Sequence, residues 1–485
     1  MLLNTSELFG TPSYLVMDPV HGGIPFFTHE KKIMDHILFQ RLRHIKQNDI
    51  LHYVFPGATH SRLEHSLGTM NVASEIFKSM IRNYLTNRRE AEMTDSQINA
   101  IQYFYGCLRI ASLLHDVGHM PFSHQFEESD AGKTLLADKD IIKKIWLDHF
   151  KDTAVEPEIL SHENYSVRCA SEILQGMDLP FEYQDILSML DGSFVKPSAT
   201  FVDSAIITIK LFSRVPEVVD KYPPEQIGTS IMQLFRDIIS GEIDADKMDY
   251  LLRDSYFSGC NYGVYNLDHL TQNFCTGFDL EEPWVGIAIN RKGLGALEDF
   301  IHSRFRMYLQ VYNHKTVVGF KWLLRQAVTE LLSLGDHLAY INAALSDIAM
   351  LSHFTDTYLW EAFRKHAISE PNSACGYLIN RRKLKHLYAL KDKADFEKRQ
   401  KKEELKAKVN KDVIQHESSA AFSKISPSFS RLRLLVKDKI EDRFRLASIS
   451  SESTFFSKFQ DTIETHYYEA PDFLGSGSVW NAKQI

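Results

Sequence analysis

Three separated segments carry side chains able to hold a metal ion. Ser61-Arg62-Leu63-Glu64-His65 and Leu114-His115-Asp116-Val117-Gly118-His119 bring imidazoles and a carboxylate, and Asp246 brings a second carboxylate. A mixed nitrogen and oxygen set suits one divalent cation, and Mg, Mn, Fe and Zn all remain open on donor type alone. Such an ion polarises a phosphoryl oxygen or lowers the pKa of a bound water, which is hydrolytic chemistry. Taken singly, each histidine reads as a hydrogen-bonded core residue. The combination of His65, His115, Asp116 and Asp246 reverses that reading.

More titratable groups follow. His119, His124 and Glu127 come just after the His-Asp pair, and His162 sits in Ser161-His-Glu-Asn-Tyr165. His124 and Glu127 are three residues apart, so on a helix the carboxylate can hold the imidazole in one tautomer and raise its basicity. His124 then reads as a proton donor to a leaving oxygen, with Glu127 orienting it. His162 alone reads equally as a capping or core histidine. The extra histidines would also serve a second metal.

These residues need helices to converge. Apolar residues recur at 3- and 4-residue spacing over 61–85, and 99–117, 202–219, 226–240, 244–258, 293–315 and 318–334 also read as helices. Residues 13–28 read as a β-hairpin turning at Gly22-Gly23, 133–160 as an insertion-like charged segment, and 431–440 as a strand. The Lys/Glu-rich stretch 391–412 reads as a solvated helix or a subunit contact. The expected fold is mainly α: a helical core over 1–345 after a small N-terminal hairpin, an α+β region over 346–473 making oligomer contacts, and a loose tail over 474–485.

Helical spacing also sorts the polar residues into stripes. On the helix beginning near Asp246, Lys247, Tyr250 and Asp254 fall within about 100° of that carboxylate, with Met248 and Leu252 opposite. Arg304, Tyr308, Tyr312 and Lys315 fall within about 80° of one another on 293–315. Arg62 lies one turn before His65 and fits a phosphate clamp. The plain alternative for the second stripe is a tyrosine-rich core face.

Composition narrows the class. The chain has 485 residues, too many for one ordinary core. Its net charge of −8 and the lack of a basic run interleaved with aromatics argue against nucleic acid as a partner. The five cysteines are scattered without a C-x-x-C pair, which argues for a reducing compartment and against thiolate zinc. The N-terminus lacks signal-peptide character, and no apolar run is long enough to span a bilayer, so a cytoplasmic protein without membrane contact is expected.

Five stretches together resemble a known family: Asp18-Pro-Val-His-Gly22, the segment from Phe39 to Gln47, Tyr53 to Gly68, Leu114 to His124, and Asp244 to Tyr250. Across roughly residues 14–315 the chain is similar to the HD-domain phosphohydrolases, most closely to the deoxynucleoside triphosphate triphosphohydrolases. The resemblance implies an HD helical fold and one metal on His65, His115, Asp116 and Asp246. It implies hydrolysis of a dNTP substrate to deoxynucleoside and inorganic triphosphate. Lys247, Tyr250, Arg304 and Arg62 would meet phosphate, Asp254 and Gln47 the 3′-hydroxyl, and Tyr312 the space beneath the deoxyribose. His119 and His162 would lie near the α-phosphate, with His124 and Glu127 as the acid pair. Asp35, Gln40 and Arg43 match an activator site at a subunit interface, which implies a nucleotide effector and a homo-oligomer, dimer or tetramer. Asp35 and Arg43 read equally as a structural ion pair.

The sequence departs from the family at three places. Asn48-Asp49-Ile50-Leu51 replaces an apolar residue and a glycine run beside the sugar, Tyr308 replaces a histidine, and Tyr14 and Met17 replace two nucleotide contacts. An HD phosphohydrolase acting on another nucleotide, a monophosphate or an alarmone, is the rival reading. A non-catalytic nucleotide-binding module is the second.

Overall fold

The computed structural model describes residues 5–87, 93–152, 154–192, 197–212, 222–279, 284–420, 432–437, 444–453, 455 and 462–474. The tail from residue 475 and parts of the expected segments 202–219 and 431–440 lie outside these residues.

The fold is mainly α, as the periodicity implies. Two long helices, Arg62–Asn87 and Asp95–Leu114, pack against each other and form the centre. The second starts on a capping box, in which Thr94 and Gln97 satisfy each other's backbone N–H groups. Around this pair stand His162–Leu174, Pro224–Ser240, Ala245–Ser258, Leu294–Met307 and Lys315–Leu332. The hairpin pairs β1 (Tyr14–Asp18) with β2 (Gly22–Phe26). Buried Arg109 ties it to the central helices by donating to Pro25 O at 2.7 Å and to the carboxylate of Glu30 at 2.5 and 2.8 Å. Such a pair tolerates burial because each carboxylate oxygen has a donor. Among the described residues, no helix is long and apolar enough to cross a membrane.

Two elements differ from the helical expectation. Two antiparallel strands, β3 (Phe274–Asp279) and β4 (Trp284–Asn290), stand where helical periodicity was expected to persist to about 345. Val285, Ile287 and Ile289 alternate along β4, the period-2 signal of a strand, and were too few to register against the helices on either side. The helix expected over 293–315 ends at Met307. A π-helical turn, Tyr308–Tyr312, follows, and Lys315 starts the next helix as an exposed residue. Lys315 therefore leaves the stripe that a uniform turn angle assigned to it.

The C-terminal strands build two sheets. β5 (His386–Lys391), β6 (Val413–Ala420) and β9 (Thr462–Glu469) form one, ordered β5-β9-β6 and antiparallel throughout. β7 (Arg433–Lys437) and β8 (Phe444–Ser448) extend the β3–β4 pair into the second, ordered β3-β4-β7-β8, with β7 parallel to β4. This sheet joins strands from both sides of residue 345, and one buried apolar cluster runs from Leu8 to Tyr468. The Lys/Glu-rich segment is a helix, Asp395–Val409, laid on the first sheet with Lys398 and Leu405 buried.

Candidate active site

The central helices present His65 and His115 to one another, with ring centroids 5.2 Å apart. Their Nδ1 atoms are already engaged. His65 Nδ1 lies 2.7 Å from Asp249 Oδ2, and His115 Nδ1 lies 2.8 Å from Ser112 O. With both acceptors on the Nδ1 side, the Nε2 atoms are the ones turned inward. His65 Nε2 stands 3.0 Å from Asp246 Oδ1, and His115 Nε2 is buried without a hydrogen-bond partner among the described residues. Donor atoms of His65, His115 and Asp246 all lie within 4.8 Å of one another. A buried imidazole nitrogen lacking a partner, beside a second imidazole and a carboxylate, fits a divalent cation.

Asp116 stands beside this trio. Its Oδ2 lies 3.6 Å from His65 Nε2, and its Oδ1 lies 3.4 Å from His115 and 3.3 Å from His119. Arg62 Nη1 donates to the same Oδ2, and Arg62 Nε donates to Ser123 Oγ at 2.9 Å. Burial opposes charge on Asp116, but Arg62, His115 and His119 outweigh it and hold the carboxyl well below its usual range. Burial likewise opposes charge on His65, yet the hydrogen bonds to Asp246 and Asp249 carry its pKa up to about 10. Two carboxylates thus focus negative potential on one imidazole, the electrostatic setting a cation seeks.

A layer of residues given no role from the sequence supports the trio. Asp249 takes hydrogen bonds from His21 Nε2 at 2.6 Å and from Arg253 Nε and Nη2, both at 2.9 Å. Arg253 Nη1 reaches Asp18 Oδ2 at 2.8 Å. Gly68 makes this possible, because a Cβ there would lie 1.8 Å from Asp249 Oδ1. The i,i+4 spacing of Asp249 and Arg253 was the available sign, but an exposed helical ion pair has the same spacing.

The second imidazole group lies across Asp116. His119 and His162 stack with centroids 3.9 Å apart and planes 14° apart, and His124 stands edge-on to both at 5.0 Å. Gly118 permits the stacking. A Cβ at that position would lie 2.1 Å from Ser166 N and 2.6 Å from His162 O, so only glycine lets the helix His162–Leu174 approach. Glu127 Oε2 serves two imidazoles, His162 Nδ1 at 3.2 Å and His124 Nδ1 at 3.7 Å. The sequence paired Glu127 with His124 alone. Burial and the Arg62 charge push His119 well below the usual histidine value. For His162 burial acts the same way, but Glu127 overcomes it and raises the value. One ring of the stack thus favours the neutral form and the other the cation. Donor atoms of His119, His124 and His162 also lie within 4.8 Å of one another.

The polar stripes meet beside the metal cluster. Asp254 accepts from Tyr312 Oη and Asn48 Nδ2, at 2.5 and 2.7 Å, and lies 2.8 Å from His60 Nε2. Tyr250 and Tyr312 have centroids 6.4 Å apart, Tyr308 and Tyr312 5.1 Å, and the Arg304 guanidinium lies 4.9 Å from the Tyr308 ring centroid. Gln47 Oε1 is buried with no hydrogen-bond partner among the described residues. Lys247 donates to Asp244 Oδ2 at 2.5 Å and to Gly241 O at 2.9 Å, so this cation already has a carboxylate.

The three residues matched to an activator site lie apart from this cluster. Asp35 pairs with Lys31, while Arg43 Nε donates to Gln40 Oε1 at 2.6 Å and Gln40 Nε2 to Met34 O at 2.6 Å. The structural alternative read from the sequence, an Asp35–Arg43 pair, is replaced by these bonds. Lys31 lies one helical turn from Asp35 and reaches it first.

A protein-family model described as HD domain matches residues 62–190. These residues thus carry an HD domain. The chain is similar to an uncharacterised protein of Methanocaldococcus jannaschii, 28% identical over 349 residues that cover 72% of this chain and 56% of that protein. It is also similar to a deoxynucleoside triphosphate triphosphohydrolase of Danio rerio, 28% identical over 367 residues covering 73% of this chain and 52% of that protein. The match thus spans little more than half the length of either relative. A solved structure of a hypothetical protein from Aquifex aeolicus superposes with a TM-score of 0.60 at 22% identity, covering 95% of this chain and 97% of that one. The fold likeness therefore extends over the C-terminal region as well as the HD domain.

The HD domain itself supplies His65, His115, Asp116, His119, His124, Glu127 and His162, whereas Asp246, Asp254, Arg304 and Tyr312 come from helices beyond it. The site is thus divided: its imidazoles lie in the HD domain, and Asp246, Asp254, Arg304 and Tyr312 in the later segments.

Proposed function

We propose that this protein is a metal-dependent phosphohydrolase that hydrolyses deoxynucleoside triphosphates to deoxynucleoside and inorganic triphosphate. The observation that carries the reading is the pair of imidazoles, His65 and His115. Each is pinned at Nδ1 and turned by Nε2 toward Asp246, beside a cradle of Arg304, Tyr250, Tyr308 and Tyr312. In this reading His65, His115, Asp116 and Asp246 hold one divalent cation, which supplies Lewis-acid polarisation of a phosphoryl oxygen when bound. Similarity to a relative named for dNTP triphosphohydrolysis supports the substrate class.

The chain's own groups do the rest. Arg304, Arg62 and Lys247 neutralise the polyphosphate as its charge shifts in the transition state. Gln47 Oε1, a buried acceptor lacking a donor, takes a sugar hydroxyl, and Asp254 with Tyr312 closes the sugar wall. The His124–Glu127–His162 unit holds a proton for the leaving 5′-oxygen, with Glu127 stabilising the imidazolium form. Asp35, Gln40 and Arg43 belong to an effector surface between subunits of a homo-oligomer.

A second reading, hydrolysis of a nucleoside monophosphate or an alarmone, draws on Lys247 and Arg62, which already have Asp244 and Asp116 as partners. Product identity separates the two. The protein is incubated with each dNTP and NTP in Mg, Mn, Fe or Zn, and the products are resolved by chromatography. Deoxynucleoside with tripolyphosphate is expected; orthophosphate or pyrophosphate as the released product would overturn the assignment.

A further inference from the structure

Asp356 belongs to none of the motifs above. It begins the helix Asp356–Ser369, beyond the core helices, and is 3% exposed. Its two carboxylate oxygens turn to two different segments. Oδ2 accepts the backbone N–H of Lys46 at 2.9 Å, and Oδ1 accepts that of Phe122 at 2.8 Å. Lys46 precedes Gln47. Phe122 stands two residues before His124.

The second segment needs an outside restraint. Phe122 and Ser123 have φ of 57° and 55°, the left-handed region that residues with side chains seldom enter. Two such residues in succession persist only where the surroundings fix them. Here the same helix supplies the restraint twice. Its Trp360 and Phe363 lie against the Phe122 ring, with centroids 5.3 and 5.9 Å away, while Asp356 takes the Phe122 N–H. Ser123 Oγ donates to Lys46 O at 3.2 Å, so the two segments also touch directly. Arg41 braces the arrangement by donating to Phe354 O at 2.9 Å, Val117 O at 3.2 Å and His119 O at 2.6 Å.

We propose that Asp356 is a positioning residue for the reaction: its two oxygens fix the Gln47 and His124 segments in register, so that one buried carboxylate from the C-terminal part of the chain aligns sugar binding with proton transfer. This inference rests on the roles given to Gln47 and His124 above. It requires a carboxylate, because two acceptor oxygens meet two N–H groups, whereas an amide offers one acceptor and sets an N–H₂ against the other donor.

The test uses the full chain carrying Asp356→Asn, loaded with the same divalent metal as the wild type. Hydrogen–deuterium exchange is followed over 44–48 and 120–124, with kcat and KM for a dNTP and a thermal melt. The expected result is a folded protein of unchanged metal content, with exchange accelerated ~10-fold or more in at least one segment and kcat lowered ~10-fold or more, the size of effect seen when a positioned group shifts slightly. Asp356→Glu, which keeps both acceptors, is expected to recover part of the kcat. Wild-type exchange in both segments together with wild-type kinetics in the Asn variant overturns the proposal. So does a lowered melting temperature with unchanged kcat and KM in the folded fraction. If the wild type turns over no dNTP, the functional reading fails by itself, and the exchange comparison still decides the role of Asp356.

Discussion

Asp249 Oδ2 lies 2.7 Å from His65 Nδ1, and Gly68, one turn further along the same helix, leaves the space that this carboxylate fills. Asp249 therefore orients the imidazole without joining the donor set of His65, His115 and Asp246. Asp249→Asn is expected to weaken metal binding by about 10–100-fold while Asp246 and His115 remain in place. Isothermal titration with Mn would read this directly. Gly68→Ala should act through the same carboxylate and lower stability by about 1–3 kcal/mol through overpacking, measured by urea unfolding. Unchanged metal affinity in both variants would detach this layer from the metal site.

Asp116 is expected to be indispensable for turnover. Asp116→Asn removes the charge but keeps the shape and an acceptor oxygen for Arg62, so the chain should fold, with a smaller loss of stability than Asp116→Ala, and lose activity. Asp116→Ala leaves Arg62 buried without its carboxylate, an uncompensated charge that costs about 3–5 kcal/mol, so its melting temperature should fall as well. Full activity in the Asn variant would refute the metal assignment.

Tyr312 is expected to govern the sugar. Its hydroxyl donates to Asp254 at 2.5 Å, which fixes the ring beside the polar wall formed by Asn48 and His60. Removing the ring in Tyr312→Ala opens room for a 2′-hydroxyl. The ratio of kcat/KM for dNTP over NTP should drop about tenfold or more, a loss of about 1.4 kcal/mol of discrimination. A ratio that does not move would place the sugar elsewhere.

The C-terminal sheet should make stability depend on pH. His386, His416 and His466 occupy its three strands, with His416 and His466 directly opposed. Burial is the main cause that lowers all three. Arg325 and His466 add to it at His416, His314, Lys391 and Lys315 at His466, and His466 and Lys315 at His386. The resulting values are about 4 for His386, about 3 for His416 and about 4 for His466. Between pH 6.5 and about 4 the unfolded chain then binds more protons than the folded one, so stability is full above pH 6.5 and declines as the pH falls through that window. The urea midpoint should decrease from pH 7 to 4.5, and His416→Gln should reduce the decrease.

The grouping of His65, His115, Asp116 and Asp246 was legible because all four are metal-donor types, and packing alone seldom calls for such a set. The cradle was legible where helical spacing holds, from Asp246 to Asp254. It ceased to be legible at Tyr308, where a π-helical turn breaks the angular count and releases Lys315. The support from Asp249, Arg253, Asp18 and His21 stayed hidden for a different reason. Each is an ordinary polar residue in the sequence, and only folding places them around one carboxylate. Asp356 was the least legible, since its role depends on two backbone N–H groups that no sequence pattern marks. The strands β3 and β4 were missed because their alternating apolar residues are few and lie between helical segments, and β4 gains its second partner, β7, only from beyond residue 430.

That pairing bears on how the protein can be cut. A fragment ending near residue 345 would retain β4 but strip away β7, leaving Ala288, Ile289 and Asn290 as a bare strand margin with unpaired amides and carbonyls. Recombinant truncations ending near residue 345 would invite intermolecular strand pairing and precipitate, so insolubility of such a product would report a severed sheet rather than a defective catalyst.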